Sequence, residues 1–351
     1  MRNAISNLQN IYLPYPALLH QSSVRREQVL GAICFSSELP ESATAMDVGV
    51  PFMQVAMRPL ATSAAMCEIW HSDAPVTQGR HDAIRYRCNG SEIFGVIALA
   101  ESDYAGSGYH SPLQQATEAA YRQIGSLLEQ LHYPHVFRFW NYMADINGQS
   151  NGLERYRQFN LGRQIAMLAQ GRQVEGNVPA ACALGSAAGA LSIAFLAGRA
   201  APQPIENPRQ ISAYAYPPEY GPRSPAFSRA SLVCAAGREW LFISGTASIV
   251  GHASRHHGDV LAQTRETLGN IEAVIAQANR HALHGSFKPA DFDYKVYVKH
   301  PSDLARIRAE LESGIHPSTN ALYLQADVCR QELLVEIEAT ASHAQQTGSG
   351  D

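Results

Sequence analysis

Residues 259–278, DVLAQTRETLGNIEAVIAQA, followed at 293–298 by DYKVYV, decide how this chain is read. The first stretch places apolar residues at three- and four-residue steps, the spacing of one buried helix face. The second is short and rich in aromatic and β-branched residues, as strands are. The same pair occurs once before. LQQATEAAYRQIGSLLEQ (113–130) lies over VLAQTRETLGNIEAVIAQ (260–277), and RFWNYMADIN (138–147) lies over DYKVYVKHPS (293–302). Outward from these anchors, both halves read strand, strand, helix, strand, helix, strand, strand. The later half has strands at 229–234, 240–244, 293–298, 321–325 and 333–339, with helices at 259–278 and 303–313. The earlier half has helices at 113–131 and 153–168, with strands at 93–98, 136–142 and within 181–197. An internal duplication of one α+β unit is expected.

The composition agrees with a folded chain. Of 351 residues, 46% are hydrophobic and only 17% charged, the reverse of a disordered balance. A net charge of −4 supplies no overall basic field for nucleic acid or an anionic membrane. The six cysteines, at 34, 67, 88, 182, 234 and 329, form no metal-binding pair and are too few for a disulfide framework. The N-terminal residues lack a signal-peptide pattern, so a reducing, cytoplasmic setting is expected. Residues 180–198 carry no charge, but they are mostly Ala, Gly and Ser. They read as two buried strands joined at Gly185–Gly189, not as a membrane span, and GSAAG lacks the spacing of a dinucleotide fingerprint. The Pro-rich stretch from 201 reads as a linker. The expected organisation is therefore 1–200, with an irregular N-terminal extension; a linker, 201–228; a second unit, 229–342; and a flexible tail, 343–351.

Residues 229–340 resemble the RidA (YjgF/YER057c/UK114) family. The matching pieces are FISG (242–245), LAQTRETLGNIEAVI (261–275), KVYVK (295–299) and VEIEATA (335–341). The resemblance implies chorismate-mutase-like α+β units, mixed sheets with helices packed on one face, and a ligand site between units. The imine deaminases of that family carry an arginine fifteen residues before the glutamate matched by Glu336; here the position falls on Ala321. FRFWNYMADINGQSNGLERYRQFNLGR (137–163) and YGPRSPAFSRA (220–230) resemble the chorismatases, an extended relative of that fold. Within that family the chain is most similar to the branch that makes 3- and 4-hydroxybenzoate for xanthomonadin pigments. The resemblance implies cleavage of chorismate to hydroxybenzoate and pyruvate, with no cofactor and no metal. The alternatives are hydrolysis to a dihydroxycyclohexadiene carboxylate and a non-catalytic ligand-binding protein. The expected partner is the small-molecule substrate chorismate, with neither nucleic acid nor membrane; a homo-oligomer is left open.

Opening the enolpyruvyl ether of chorismate requires a proton on its terminal methylene carbon, hence a carboxylic acid that stays protonated near neutral pH. In LLVEIEA, strand alternation places Glu336 and Glu338 on one face. Burial there would raise a glutamate's pKa, whereas an exposed face would carry two solvated glutamates. The resemblance makes Glu336 the acid and leaves Glu338 a solvated or structural neighbour. The first-half counterpart, ALSIAFLA, has no acid, so one half alone is expected to be competent. Cys329, across the final hairpin, matches the hydroxybenzoate-forming branch and is expected to steer the product; a small buried hydrophobe is the plainer reading. The dianion also needs cationic anchors. Tyr156 and Arg163 lie seven apart on one helix, while Tyr216 and Arg229 bracket the entry to the second unit, with Arg223 in reserve. Arg155 and Arg157 read as solvated. The turn Ser244–Ala247 could offer backbone N–H groups to a carboxylate, and His252, His256 and His257 sit in a loop that does not complete a metal set.

Overall fold

The computed structural model describes residues 8–19, 25–37, 49–105 and 110–345. Most of the tail from 343, expected to be flexible, lies outside the described residues. The extension expected to be irregular holds a sheet of four strands, β1 (Leu8–Pro14), β2 (Val29–Ser36), β3 (Phe52–Ala56) and β4 (Met66–Ser72), in the order β1-β4-β2-β3. The first unit contains β5 (Thr77–His81), β6 (Ile84–Cys88), β7 (Glu92–Leu99), α1 (Pro112–Gln130), β8 (His135–Ala144), α2 (Arg155–Ala169), β9 (Ala180–Ser186) and β10 (Leu191–Gly198). The second contains β11 (Gln203–Ile205), β12 (Ala230–Ala235), β13 (Arg238–Ala247), α3 (Val260–Ala278), β14 (Asp293–Val298), α4 (Leu304–Gly314), β15 (Ala321–Gln325) and β16 (Val335–Ala344).

The two unit sheets have one topology. Their strands run β9-β8-β10-β7-β6-β5 and β15-β14-β16-β13-β12-β11. In each, the strands flanking the second helix pair in parallel (β8 with β9, β14 with β15) and the rest pair antiparallel. The long helices start where the side chains allow. Ser111 accepts from the Gln114 amide ahead of Pro112, and Asp259 accepts from the Leu261 and Ala262 amides. The apolar face of α1 (Leu113, Ala120, Ile124, Leu127) closes a core against one face of the first sheet. Ile271, Val274 and Ile275 of α3 do the same on the second. The expected α+β architecture, mixed sheets with helices on one face, holds. The uncharged stretch 180–198 is the β9–β10 pair, and no helix among the described residues is long and apolar enough to cross a membrane.

The helix-free faces of both unit sheets meet each other and the N-terminal sheet in a third core, which includes Trp70, Trp140, Tyr142, Trp240, Phe242 and Tyr297. The units are also joined at the β9 edge. The Ala180 and Ala181 amides donate to the Ser231 and Ser244 hydroxyls, each at 2.9 Å, so the edge strand is not left open. The duplication can be checked residue by residue. Tyr142 of β8 lies opposite Ser192, and Tyr297 of β14 lies opposite Glu336. The two tyrosine hydroxyls meet at 3.1 Å. Ser192 thus holds the place of Glu336 in the first unit. The Pro-rich stretch 201–228 is not a free tether, because β11 adds to the second sheet beside β12.

Candidate active site

Where the first unit's α2 end faces β13 and β16, the chain encloses a cavity of about 300 Å³. A smaller recess of about 30 Å³ continues from it, lined by Tyr156, Arg163, Cys182, Gly245, Cys329 and Glu336. Both units of one chain therefore build the site. Asn147, Gln149, Glu154 and the start of α2 supply one wall, β13 and β16 the floor, and residues 329–332 of the hairpin another wall. The former linker closes the rest: short 3-10 turns at Ala213–Ala215 and Pro218–Tyr220 present Tyr216 and Tyr220 to the cavity.

Glu336 is 4% exposed and points from β16 into this space. Burial, and then the negative charge of Glu338, push its carboxyl up from 4.5 to about 8, with Arg138 opposing. It is therefore an acid at neutral pH. Glu338, two residues on, points to the same side as strand alternation requires, but the solvated reading fails. It is 5% exposed and fully engaged. Lys295 donates to its Oε1 at 2.5 Å, Trp140 Nε1 to the same atom at 3.2 Å, and Arg138 Nη2 to Oε2 at 2.5 Å. Burial would raise Glu338, but Lys295 and Arg138 outweigh it and hold the group down to about 2. Two glutamates on one strand face are thus separated into a proton carrier and a fixed anion, a division that lets one site hold an acid and a charge together.

The cations converge as the sequence predicts, with one exception. Arg163 is 3% exposed; its Nη2 donates to Asn160 at 3.0 Å, its guanidinium lies 5.1 Å from the Phe159 ring centre, and its Nε has no partner. Arg229 is 5% exposed. It donates to the Ile211 carbonyl at 2.7 Å and to the Tyr216 hydroxyl at 2.9 Å, and its Nε is likewise unpartnered. Buried guanidinium groups that line a cavity and its recess fit a carboxylate ligand. Arg223 is exposed and does not line the cavity, so it drops out of the set. Arg330, which sequence reasoning missed, takes its place. It lies 4.1 Å over the Tyr220 ring and donates to the His252 carbonyl at 2.9 Å. Its signal was adjacency to Cys329 in the same hairpin. Of the two arginines expected in solvent, Arg155 makes a two-point pair with Glu101, and Arg157 pairs with Glu154 on the cavity wall. Ser244–Ala247 is not a turn but the end of β13, where its register against β16 shifts. The three histidines go to different partners: His252 to Tyr220, His256 to Glu266 and His257 to the Ser254 carbonyl.

Tyr156 and Cys329 face the same recess. Burial, then the neighbouring Glu336, raises the Cys329 thiol well above its usual value, so it is a neutral wall group and not a thiolate. Burial raises the Tyr156 phenol in the same way. Gly245 is needed for clearance: a Cβ there would lie 1.9 Å from Glu336 Oε1 and 3.2 Å from the Cys182 Cβ. Gly245→Ala should keep the fold, since the glutamate end can swing aside, and lower turnover roughly a hundred-fold by moving the carboxyl. Steady-state kinetics checks this, and unchanged turnover would mean that the carboxyl's position is not demanding.

The family described as chorismatase FkbO/Hyg5-like, N-terminal, matches residues 68–197. A chorismatase of Streptomyces rapamycinicus is 37% identical over 285 residues, 79% of this chain and 83% of that protein. A 3-hydroxybenzoate synthase of Streptomyces hygroscopicus is 37% identical over 322 residues, 88% of this chain and 90% of that one. A crystal structure of a chorismatase aligns with a TM-score of 0.85 at 32% identity, covering 96% of this chain and 99% of its own.

Proposed function

The chain belongs to the chorismatase family and is an enzyme, and we propose that it converts chorismate to 3-hydroxybenzoate, with 4-hydroxybenzoate as a second product, and pyruvate. One observation carries this reading: a carboxyl held protonated to about 8 borders a cavity and recess lined by the buried arginines Arg163 and Arg229. Arg163 and Arg229 bind the two carboxylates of the substrate. Glu336 then delivers its proton to the terminal methylene carbon of the enolpyruvyl group, and the ether-bearing carbon becomes an oxocarbenium ion. Fixed donors and charges around the recess stabilise that change without reorganising.

The fate of the cation separates the branches. Chorismate contains the atoms of hydroxybenzoate plus pyruvate, so aromatisation consumes no water. Hydrolysis to the dihydroxycyclohexadiene carboxylate adds one. Cys329 and the closed recess keep water from the cation, leaving the substrate's own ring hydroxyl to attack it. Pyruvate then leaves from a strained ring intermediate that collapses to the aromatic acid. Cys329→Ala opens space beside the cation. Chorismate should still be consumed, with products moving from hydroxybenzoates toward the dihydroxy diene acid. An unchanged product ratio would reduce Cys329 to packing. The direct test of the whole reading is to incubate the purified protein with chorismate and identify products by chromatography and mass. No pyruvate release would reject it in favour of a ligand-binding role.

A further inference from the structure

The N-terminal sheet touches neither the cavity nor the recess, yet it contributes a charge to the row behind Glu336. Glu68 of β4 accepts from Lys295 Nζ at 2.5 Å through Oε2, and from Trp70 Nε1 at 3.1 Å and Asn10 Nδ2 at 3.3 Å through Oε1. Every one of these contacts is a donor, the pattern of an ionised carboxylate; burial pushes this carboxyl up, and the Lys295 charge is the main opposing influence. Lys295, fully buried and 5.2 Å from the Phe35 ring centre, passes the contact on to Glu338 at 2.5 Å, and Arg138 closes the row from the first unit. Each of the three sheets thus supplies at least one member: Glu68 from the first, Arg138 from the second, Lys295 and Glu338 from the third. We infer that Glu68 is a positioning residue for catalysis: through Lys295 it balances the charge on Glu338, so that the anion beside Glu336 keeps its full effect on the proton donor. This rests on the reading of Glu336 as the acid.

The other groups around Glu336 leave this row as the variable part of its field. From β14 it meets Tyr297 and from β9 Cys182, with Tyr142 of β8 bonded to the Tyr297 hydroxyl behind; all three are raised by burial and therefore neutral. From α2 and the hairpin it meets Tyr156 and Cys329, neutral for the same reason. The permanent charges facing the cavity are Arg163, Arg229, Arg157 and Arg330, with Glu154 paired to Arg157 and Glu332 bonded to Ser254. None of these changes when Glu68 is altered. Removing the Glu68 charge leaves Lys295 in excess, which favours ionisation of Glu336.

The test is the pH profile of kcat for chorismate in the full-length protein. Activity needs the protonated acid and falls as pH rises through its pKa. In Glu68→Gln, which keeps the shape and the acceptor oxygen, the alkaline limb should move down by roughly one pH unit. Glu338→Gln should move it further in the same direction; because that variant strands two buried cations, Glu68→Gln decides the matter. The infrared carbonyl band of the protonated Glu336, assigned by its loss in Glu336→Gln, reports the same titration without turnover. A purely structural Glu68 would lower stability and leave both titrations in place, and that result would overturn the inference. If Glu336→Gln itself turned over chorismate like the parent, the acid assignment would fail instead, so the two failures are distinguishable.

Discussion

Replacing Glu336 by glutamine is expected to reduce chorismate turnover by about 10²–10⁴-fold, the contribution of a positioned general acid. The amide fills the same space between Gly245 and Cys329 but has no proton to give to carbon. The same substitution should make the protein more stable at neutral pH, and the sign follows from linkage. The carboxyl is raised from 4.5 to about 8 in the folded chain, so the native state binds a proton that the unfolded state has released. Stability contributed by this group is present below 4.5 and is lost as pH rises toward 8. At pH 7 the loss is on the order of 3 kcal/mol, and glutamine escapes it. Urea denaturation of both proteins at pH 5 and pH 7 should show a gap that widens with pH. Turnover near the parent's would remove Glu336 from the mechanism; a pH-independent gap would mean that its carboxyl is not held protonated.

Arg163→Ala and Arg229→Ala are expected to raise KM for chorismate strongly. Each charge-assisted pair with a carboxylate contributes about 1.5–3 kcal/mol, which is about 10- to 150-fold in binding. Neither guanidinium spends its bonding on a protein carboxylate: Arg163 donates to an amide oxygen, Arg229 to a carbonyl and a phenol. Truncating Arg163 therefore strands no buried anion, whereas truncating Arg229 removes the charge that opposes burial at the Glu206 carboxyl, so Arg163→Ala is the cleaner test. If both variants bound chorismate as the parent does, the proposed orientation of the substrate would be wrong. Arg330 is half-buried and held over Tyr220, and its removal bears on the same measurement less directly.

The repeated order of strands and helices was legible because periodicity and turn residues are local. Helices expected at 113–131 and 259–278 appear at Pro112–Gln130 and Val260–Ala278. The resemblance carried by residues 137–163 and 220–230 was legible for the same reason, being written in contiguous segments. Of the candidate site residues, Glu336, Cys329, Tyr156, Arg163, Tyr216 and Arg229 line one cavity and its recess. Arg223 shares their segment but faces solvent, because backbone direction at Gly221–Pro225 sets where a side chain goes and composition does not.

What the sequence determined by itself was the duplicated α+β unit, the strand that carries two glutamates on one face, and the absence of an acid from the other unit's matching strand. The resemblance pointed to Glu336 as the acid, but only the tertiary structure shows why the two carboxyls are pushed apart, Glu336 up and Glu338 down. That difference depends on Lys295 and Arg138, which lie 43 and 200 residues from Glu338 and reach it from two other strands. It depends too on Glu68, brought in by a sheet whose part in the site no motif announced. Charge in a buried site is set by distances of a few ångströms between segments far apart in the chain, and a pattern of residues along one strand carries no record of them.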